Sequence, residues 1–264
     1  MAVTIHPTAI IEQGAELGDG CIIGAYAVIG PHVKLGKNNT VQHHAVIEGH
    51  TTFGDDNTVF SFAAIGTQPQ DLKYKGEPSE LLVGNRNFIR EYVTLQPGTE
   101  GGGMVSSVGD GNLFMVSSHL GHDSKVGNEN VIANGVAIAG HVRIENRVTL
   151  GGLSAVHQFV TIGSYAMIAG GSMVTQDIPP GVIAQGDRAR LAGINVIGLQ
   201  RAGFSEDDIR ELKKLYRSLF LADGAIGEKL AAFDVNSACK LCVDFIELVK
   251  GSSRGIAATR KSGD

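Results

Sequence analysis

The sequence predicts a mainly β protein. A left-handed parallel β-helix of triangular cross-section is expected over residues 1–182, followed over residues 183–264 by a connector and a small α-helical domain. An apolar residue returns at every sixth position from Ile5 to Ile65, from Val83 to Leu95 and from Val108 to Val174, and the chain contains 36 glycines without a collagen triplet. A period of six fits neither a helix nor a two-sided strand, and it is typical of hexapeptide β-helices.

Three hexads make one triangular coil of about 18 residues, and successive coils stack at about 4.8 Å, the ordinary spacing of strands. Residues one coil apart in sequence therefore lie above one another. A single coil cannot bury its own inward face, so stacking supplies the stability. The inward positions include Ile11, Leu17, Ile23, Ile29, Leu35, Val41, Ile47, Phe53, Val59, Ile65, Val83, Ile89, Leu95, Val108, Phe114, Leu120, Val126, Ile132, Ile138, Ile144, Leu150, Val156, Ile162 and Ile168.

Two segments interrupt the repeat and are predicted to protrude from the prism. The first is a polar loop at Thr67–Leu82, and the second is a glycine-rich loop at Pro97–Ser107. Long loops in compact folds are usually functional or disordered.

The repeat stops at Val174, and the sequence Ile-Pro-Pro-Gly at 178–181 is expected to close the prism. Ser205, followed by three acidic residues, predicts a helix N-cap, and that helix should end near Leu221. Two further helices are expected near Ile226–Phe233 and Asn236–Lys250. The polar tail after residue 251 is expected to fray.

The composition excludes several classes of protein. A net charge of −5 argues against general nucleic-acid binding. No apolar run approaches the roughly 18 residues that span a bilayer, so no membrane insertion is expected. The start of the chain is already part of the repeat and does not look like a targeting segment. Three cysteines, an odd number, favour a reducing compartment, so a cytoplasmic location is predicted. Cys239 and Cys242 lack a second pair, which favours core packing over a structural zinc site.

Histidines and one carboxylate converge when the chain is wound onto coils. His122, Gly140 and Gln158 fall in one column, and Asp123 and His141 fall in the next column. A histidine beside a carboxylate can act as a general base, since the carboxylate fixes the tautomer and stabilises the imidazolium. A backbone N–H at Gly140 could stabilise an oxyanion. By contrast, His32 and His50 lie one coil apart and are expected to form an exposed structural stack.

Other uses of the same cluster stay open on the residues alone. Three histidines could hold a catalytic zinc ion, as in a γ-class carbonic anhydrase. The presence of Asp123 and Gln158 among the histidines, and the short spacing of His119 and His122, make a metal site less favoured. A purely structural prism of the ice-binding kind would need flat rows of threonine, which the sequence lacks.

Several segments stand out against the repeat. They are Gln70-Asp-Leu-Lys-Tyr-Lys-Gly-Glu-Pro78, Ile89-Arg-Glu91, His119-Leu-Gly-His-Asp123, Ala139-Gly-His141, Val156-His-Gln-Phe159, Gln176-Asp-Ile-Pro-Pro180 and Gly198-Leu-Gln-Arg-Ala-Gly-Phe204. Together these segments resemble the UDP-N-acetylglucosamine O-acyltransferases, which begin lipid A synthesis and belong to the hexapeptide acyltransferase superfamily. The resemblance extends from the first coil through the helical region.

The resemblance implies a homotrimer with active sites between adjacent prisms. It implies transfer of an (R)-3-hydroxyacyl group from acyl carrier protein to the sugar 3-OH of UDP-N-acetylglucosamine. No metal or other cofactor is implied, because the acyl group is carried on the phosphopantetheine of the carrier protein. His122 would be the general base, Asp123 would orient it, and the Gly140 N–H would hold the oxyanion.

The same resemblance implies binding roles on the sugar, the nucleotide, the carrier and the acyl chain. Asp71 and Lys73 would contact the sugar and nucleotide, while Asn195 and Arg201 would contact the nucleotide or phosphopantetheine. Glycine at 170 has no Cβ and leaves room for a long acyl chain, about 12–14 carbons. Residues implied to line the cleft or the acyl pocket are His119, His141, His157, Gln158 and Met167. A basic face for the acidic carrier would comprise Arg201, Lys213, Lys214 and Arg217.

Three positions depart from the family pattern. Gln96 stands where histidine is common, Ala202 where a second arginine is common, and Arg188 where histidine is frequent. These changes leave open an acceptor with a 3-amino group in place of the 3-OH. The related N-acyltransferase of the same pathway is a further alternative, although it typically carries a domain before its coils. An acetyl-CoA-dependent acetyltransferase would not explain the segment at 70–78.

Overall fold

The computed structural model describes residues 2–231, 233 and 238–259. Two-residue strands separated by sharp corners wind into three parallel sheets, which form the predicted left-handed β-helix. The three sheets are called first, second and third in the order in which each coil visits them.

The first sheet comprises Thr4–Ile5, Ile22–Ile23, Thr40–Val41, Thr58–Val59, Phe88–Ile89, Leu113–Phe114, Val131–Ile132, Thr149–Leu150, Met167–Ile168, Val182–Gln185 and Arg190–Ile194. The second sheet comprises Ile10–Ile11, Val28–Ile29, Val46–Ile47, Ala64–Ile65, Thr94–Leu95, His119–Leu120, Ala137–Ile138, Ala155–Val156 and Met173–Val174. The third sheet comprises Glu16–Leu17, Lys34–Leu35, His50–Phe53, Glu80–Val83, Val105–Val108, Lys125–Val126, Arg143–Ile144 and Thr161–Ile162.

The inward aliphatic positions form a continuous core. Ile29, Ile89 and Ile138 are fully buried, as the six-residue repeat predicts. The first coil is the exception, because it has a neighbouring coil on one side only: Ile5 is 45% exposed, and Ile11 and Leu17 are half-buried. The stability of the prism therefore comes from the apolar contacts between stacked coils.

A column of buried asparagines also runs through the prism, and the repeat of apolar residues gave no sign of it. The Asn87 side-chain amide donates to Asn57 Oδ1 at 2.9 Å, and Asn112 donates to Asn87 Oδ1 at 3.0 Å. The column continues from Asn39 to Asn130 through the same type of bond. Each amide satisfies the next, so these buried polar groups are paired.

The spacing between stacked residues changes at the two loops. It is 18 between most coils, as between Asn39 and Asn57, but it is 30 from Asp55 to Asn85 and 25 from Asn85 to Asp110. At the last coil it falls to 16, as between Thr161 and Asp177. Both loops end earlier in the sequence than predicted. Residues 80–82 and 105–107 are strand residues of the third sheet, since they pair with neighbouring coils. The protruding segments are therefore residues 67–79 and 97–104.

The region after the prism is more ordered than predicted. Val182–Gln185 pairs with Met167–Ile168, and Arg190–Ile194 folds back on it, so the first sheet continues beyond residue 182. The α-helices are α1 (Val196–Arg201), α2 (Glu206–Phe220), α3 (Ile226–Ala231) and α4 (Lys240–Gly251).

The predicted N-cap of α2 is confirmed. Ser205 and Asp208 form a reciprocal capping box at its start. Phe233 lies beyond the end of α3, and Asn236, where the last helix was predicted to begin, lies outside the described residues.

The prediction of a frayed tail is wrong for residues 252–259. Ile256 forms a bridge with Asp177, and Ala257 is buried. Ser252 donates to Asp177 Oδ2 at 2.6 Å. The polar sequence hid this docking because its partners are backbone and carboxylate groups of the last coils. Residues 260–264 lie outside the described part of the chain.

Candidate active site

The two loops and the predicted histidine cluster share one corner of the prism, between the second and third sheets. Each loop leaves a strand of the second sheet and returns to a strand of the third, and His122 and Asp123 occupy the same turn one coil later. We call this corner the histidine edge and define it by Asp123, His141 and Phe159. All three residues adopt positive φ, near +60°.

His122 and Asp123 form a buried pair. The His122 Nδ1–H donates to Asp123 Oδ2 at 2.7 Å, and the side chains are 10% and 0% exposed. Since the carboxylate occupies Nδ1, the ring proton lies on Nδ1 and the Nε2 lone pair is left to accept a proton. This arrangement can serve as a general base.

The glycine-rich loop supplies two more donors to the same carboxylate. The Thr99 N–H donates to Asp123 Oδ1 at 2.8 Å, and the Thr99 hydroxyl donates to Asp123 Oδ2 at 2.6 Å. Gly102 packs directly on the carboxylate, so that a Cβ at this position would overlap its oxygens. The loop between the second and third sheets therefore covers and fixes Asp123.

Gly140 lies against the opposite side of the imidazole. A Cβ at Gly140 would stand 2.7 Å from His122 Nε2 and Cε1. Among the described residues the Gly140 N–H donates to no protein acceptor. A free backbone donor next to the basic nitrogen is suited to stabilising an oxyanion that forms there.

His141 lies beside this pair and closes the edge. Its ring stacks on Phe159 at 4.5 Å and meets the His122 ring edge-on at 5.0 Å. Its Nε2 is 3.9 Å from Asp123 Oδ2. Burial lowers the pKa of His141, an effect that the Asp123 charge partly offsets. His141 is therefore favoured as a neutral donor or acceptor near pH 7.

His119 lies in the strand that directly precedes His122. Its Nδ1 is hydrogen-bonded to Thr94 Oγ1 at 2.7 Å. Burial lowers the pKa of His119, and the neighbouring His122 lowers it further. A neutral imidazole at this position can accept or donate a hydrogen bond without adding charge to the site.

The polar loop brings Asp71 and Lys73 toward the cluster. Both charges act on the pKa of His141, Asp71 raising it and Lys73 lowering it. The Lys73 N–H donates to Asp71 Oδ1 at 3.0 Å, which fixes the turn that presents the two side chains. The Glu100 N–H donates to Glu77 Oε1 at 3.1 Å and joins the two loops.

His157 and Gln158 lie on the same edge, one coil after Gly140, and both are exposed. The His157 Nδ1 lies 3.2 Å from the Gln158 carbonyl oxygen and 3.3 Å from Arg254 Nη2. Arg254 belongs to the tail, so the tail reaches the edge of the candidate cleft. Sequence reasoning had no means of finding this contact.

Four predicted binding residues lie elsewhere on the prism. The Asn195 side chain donates to the Tyr165 carbonyl at 3.0 Å and caps α1, next to the corner between the third and first sheets. Arg201 ends the same helix. Gly170 and Met167 lie near the third corner, between the first and second sheets. One copy of the chain therefore does not bring these four residues to His122.

Among the described residues, two groups of side chains have a composition that could hold a metal ion. The first is His122, Asp123 and His141, and the second is Glu211, Cys239 and Cys242 in the helical domain. In the first group the Asp123 oxygens are already used by Thr99 and His122. In the second, burial raises the pKa of both thiols, as expected for packed cysteines. No helix in the described residues has the length and apolarity needed to cross a bilayer.

Thr99 and Gly102 are the functional candidates that sequence reasoning missed. The only available signal was the glycine-rich loop itself, which was identified as an interruption without an assigned partner. Its contact with Asp123 spans 24 residues and depends on the loop lengths, so no column of the repeat could reveal it.

A stacked β-helix that carries a buried histidine–carboxylate pair beside an open backbone donor defines a class of protein, the hexapeptide acyltransferases. The model of the family described as "Udp N-acetylglucosamine O-acyltransferase; Domain 2" matches residues 177–257. The model described as "Bacterial transferase hexapeptide (six repeats)" matches residues 2–31 and 14–49.

Named relatives extend this match over almost the whole chain. The acyl-[acyl-carrier-protein]–UDP-N-acetylglucosamine O-acyltransferase of Anaeromyxobacter dehalogenans is 51% identical, with 96% of this chain and 99% of the relative covered. The Aliarcobacter butzleri protein of the same name is 46% identical over 97% of this chain and 99% of its own length. The crystal structure of the Moraxella catarrhalis UDP-N-acetylglucosamine O-acyltransferase is 39% identical, with a TM-score of 0.94, and covers 97% and 100% of the two chains. The chain belongs to the UDP-N-acetylglucosamine O-acyltransferase family.

Proposed function

We propose that this protein transfers an (R)-3-hydroxyacyl group from acyl carrier protein to the 3-OH of UDP-N-acetylglucosamine, the first step of lipid A synthesis. The observation that carries the mechanism is the His122–Asp123 pair, with its Nε2 directed at Gly140. The named relatives supply the two substrates, since the same pairing of carrier and sugar nucleotide stands in their names.

His122 Nε2 takes the proton of the sugar hydroxyl as the oxygen attacks the thioester carbonyl. Asp123 stabilises the imidazolium that forms, and the Gly140 N–H donates to the oxyanion of the tetrahedral intermediate. When the intermediate collapses, the new C–O bond remains and the C–S bond breaks. The imidazolium then returns its proton to the phosphopantetheine thiolate. The base supplies about 10²–10⁴ in rate.

Binding of the sugar nucleotide falls to the rest of the histidine edge. Asp71 and Lys73 contact the sugar and phosphate groups from the loop at 67–79, while His119 and His141 bind as neutral imidazoles. His157 and Gln158, both exposed, line the cleft one coil further on. The reaction uses no bound cofactor beyond the phosphopantetheine of the donor, and the protein acts in the cytoplasm.

The complete site requires more than one copy of the chain, and we assign a homotrimer. The corner between the first and second sheets, here called the aromatic edge, carries Tyr26, His44, Phe62 and Tyr92 in a continuous stack of rings. Tyr26 and Tyr92 are each 57% exposed. Exposed apolar stacks of this kind favour a partner surface.

A neighbouring copy would also bring the four distant residues to the cleft. Asn195 and Arg201 approach from the corner near Tyr165 and contact the nucleotide or phosphopantetheine. Gly170 and Met167 set the length of the acyl pocket. The basic residues of α2 and Arg201 face the acidic carrier protein.

The test is an acyl-transfer assay with purified protein. Carrier proteins loaded with 3-hydroxyacyl groups of about 10 to 16 carbons, each CH₂ worth about 0.8 kcal/mol when buried, are offered with UDP-N-acetylglucosamine. Product from the 3-OH sugar supports the proposal. If product formed only with the 3-amino analogue, that sugar would be the acceptor. Gln96, which is buried near the histidine edge, would then be the first residue to examine.

The assignment of the base is tested with His122→Ala. We expect turnover to fall to background while circular dichroism and oligomer mass stay unchanged. His6→Ala is the matched control, because His6 is exposed on the first coil and its side chain bonds only Thr8 among the described residues. Near-normal turnover by His122→Ala would remove His122 from its role.

A further inference from the structure

The glycine-rich loop contains a side chain aimed at the buried carboxylate of the site. Thr99 is 3% exposed, and its backbone is extended, with φ −136° and ψ 162°. Its N–H and its hydroxyl donate to the two different oxygens of Asp123. Thr99 therefore binds both oxygens of the Asp123 carboxylate, and these two bonds fix the rotation of the carboxylate plane.

This grip determines which way Asp123 Oδ2 faces. Oδ2 accepts from the Thr99 hydroxyl at 2.6 Å and from His122 Nδ1 at 2.7 Å. Asp123 itself lies at a corner with φ 59°, so its backbone offers few alternative positions. The Asp123 side chain is then held by the Thr99 N–H, the Thr99 hydroxyl and the His122 ring.

The loop is built to hold Thr99 in place. The Gly102 and Met104 N–H groups both donate to the Thr99 carbonyl, at 3.1 Å and 2.9 Å, and close a tight turn around it. Gly103 follows with φ 95°, a conformation that favours glycine. Gly102 lies so close to the Asp123 carboxylate that no side chain fits between them.

We propose that Thr99 is a positioning residue of the acyl transfer: its hydroxyl holds Asp123 in the orientation that keeps the His122 proton on Nδ1 and the Nε2 lone pair directed at the substrate. This role rests on the proposed function of His122 as the base. It also gives the glycine-rich loop a chemical purpose, since the loop acts on the base through Asp123.

The loop at 67–79 is part of the same assembly. The Glu77 carboxylate accepts a hydrogen bond from the N–H of Glu100, the residue after Thr99. Backbone donors, chiefly the Lys75 and Glu100 N–H groups, lower the pKa of Glu77 and keep it an acceptor. The segment that presents Asp71 and Lys73 is thus fastened to the segment that orients the base.

The test compares Thr99→Val with Thr99→Ser. Valine keeps the shape and the backbone N–H but lacks the hydroxyl, whereas serine keeps the hydroxyl. We expect kcat of Thr99→Val to fall about ten-fold with KM for the sugar nucleotide within about two-fold, since a hydrogen bond to a buried charge is lost. Thr99→Ser should stay within about two-fold of the parent.

Two further readouts separate positioning from a loss of structure. The acid limb of the kcat/KM profile against pH should move to lower pH in Thr99→Val, because a carboxylate that is no longer held toward Nδ1 stabilises the imidazolium less. In ¹⁵N-histidine-labelled protein, the downfield proton resonance of the His122–Asp123 hydrogen bond should broaden or disappear in Thr99→Val and persist in Thr99→Ser. The resonance needs no substrate, so it tests the grip on Asp123 even if the parent protein transferred no acyl group.

Thr51→Val is the matched control, because Thr51 is equally buried and its hydroxyl donates only to the Glu48 carbonyl. It should leave kcat, the pH profile and the resonance unchanged. An unchanged kcat and resonance in Thr99→Val would overturn the proposal. Equal losses in Thr99→Ser and Thr99→Val would overturn it as well, since the hydroxyl would then not be the determinant.

Discussion

Substitution of Gly140 by alanine separates catalysis from folding in this protein. The added Cβ would stand 2.7 Å from His122 Nε2 and Cε1, whereas an ordinary contact begins at 3.4 Å, so the ring must retreat by about 0.7 Å. The ring has little room, because Nδ1 is bonded to Asp123 and the side chain is 10% exposed. A misplacement of about 1 Å at a reacting group can cost about 10² in rate.

We therefore expect kcat of Gly140→Ala to fall about 10²-fold, equivalent to about 2.7 kcal/mol of barrier. Gly140 does not need positive φ, so the backbone tolerates alanine and the fold should survive. The assay is acyl transfer under saturating substrates, with thermal unfolding measured in parallel.

Gly152→Ala provides the stability control for this substitution. Gly152 holds the same hexad position on another corner, and its Cβ would meet the Asn134 carbonyl at an ordinary 3.5 Å. If Gly140→Ala kept kcat within about three-fold of the parent, the steric reasoning about His122 would be refuted.

Three further outcomes follow from the structure. Asn87→Ala should lower the free energy of unfolding by about 2–5 kcal/mol, measured by denaturant titration, because the amides bonded to it above and below lose a buried partner; a loss under about 1 kcal/mol would contradict this. The free energy of unfolding should fall as the pH drops below 6.5. The pKa values of His119 and His141 are lower in the folded protein than in the unfolded chain, so the unfolded chain binds protons first. A double variant with glutamine at both positions should show a shallower dependence of the unfolding free energy on pH. Gly170→Met should shift the preferred donor to a shorter chain in the carrier-protein series, and an unchanged preference would remove residue 170 from the acyl pocket.

The six-residue repeat determined the β-helix and the column that joins His122 to Gly140. Both conclusions need only local spacing, since most coils without an insertion stack their residues at the same interval. The capping box at Ser205 was equally readable, because a cap depends on residues three apart.

The loops mark where sequence reasoning lost accuracy. Residues 80–82 and 105–107 are strand residues although their hexads are irregular, because each edge of a coil must pair with the coils beside it. The docking of residues 252–259 was missed for a related reason. Its partners, such as Asp177, lie far away in the chain and leave no periodic signal.

The sequence alone determined the prism and predicted that His122, Asp123 and Gly140 lie together, because a repeated hexad fixes which side chains share a column. The tertiary structure decided what surrounds them. Thr99 reaches Asp123 across 24 residues through a loop whose path no period describes. The position of Asn195 at a different corner was also decided there, since it depends on how the connector folds back on Tyr165. Contacts made by irregular segments depend on loop lengths and on backbone hydrogen bonds, which only the folded chain brings together.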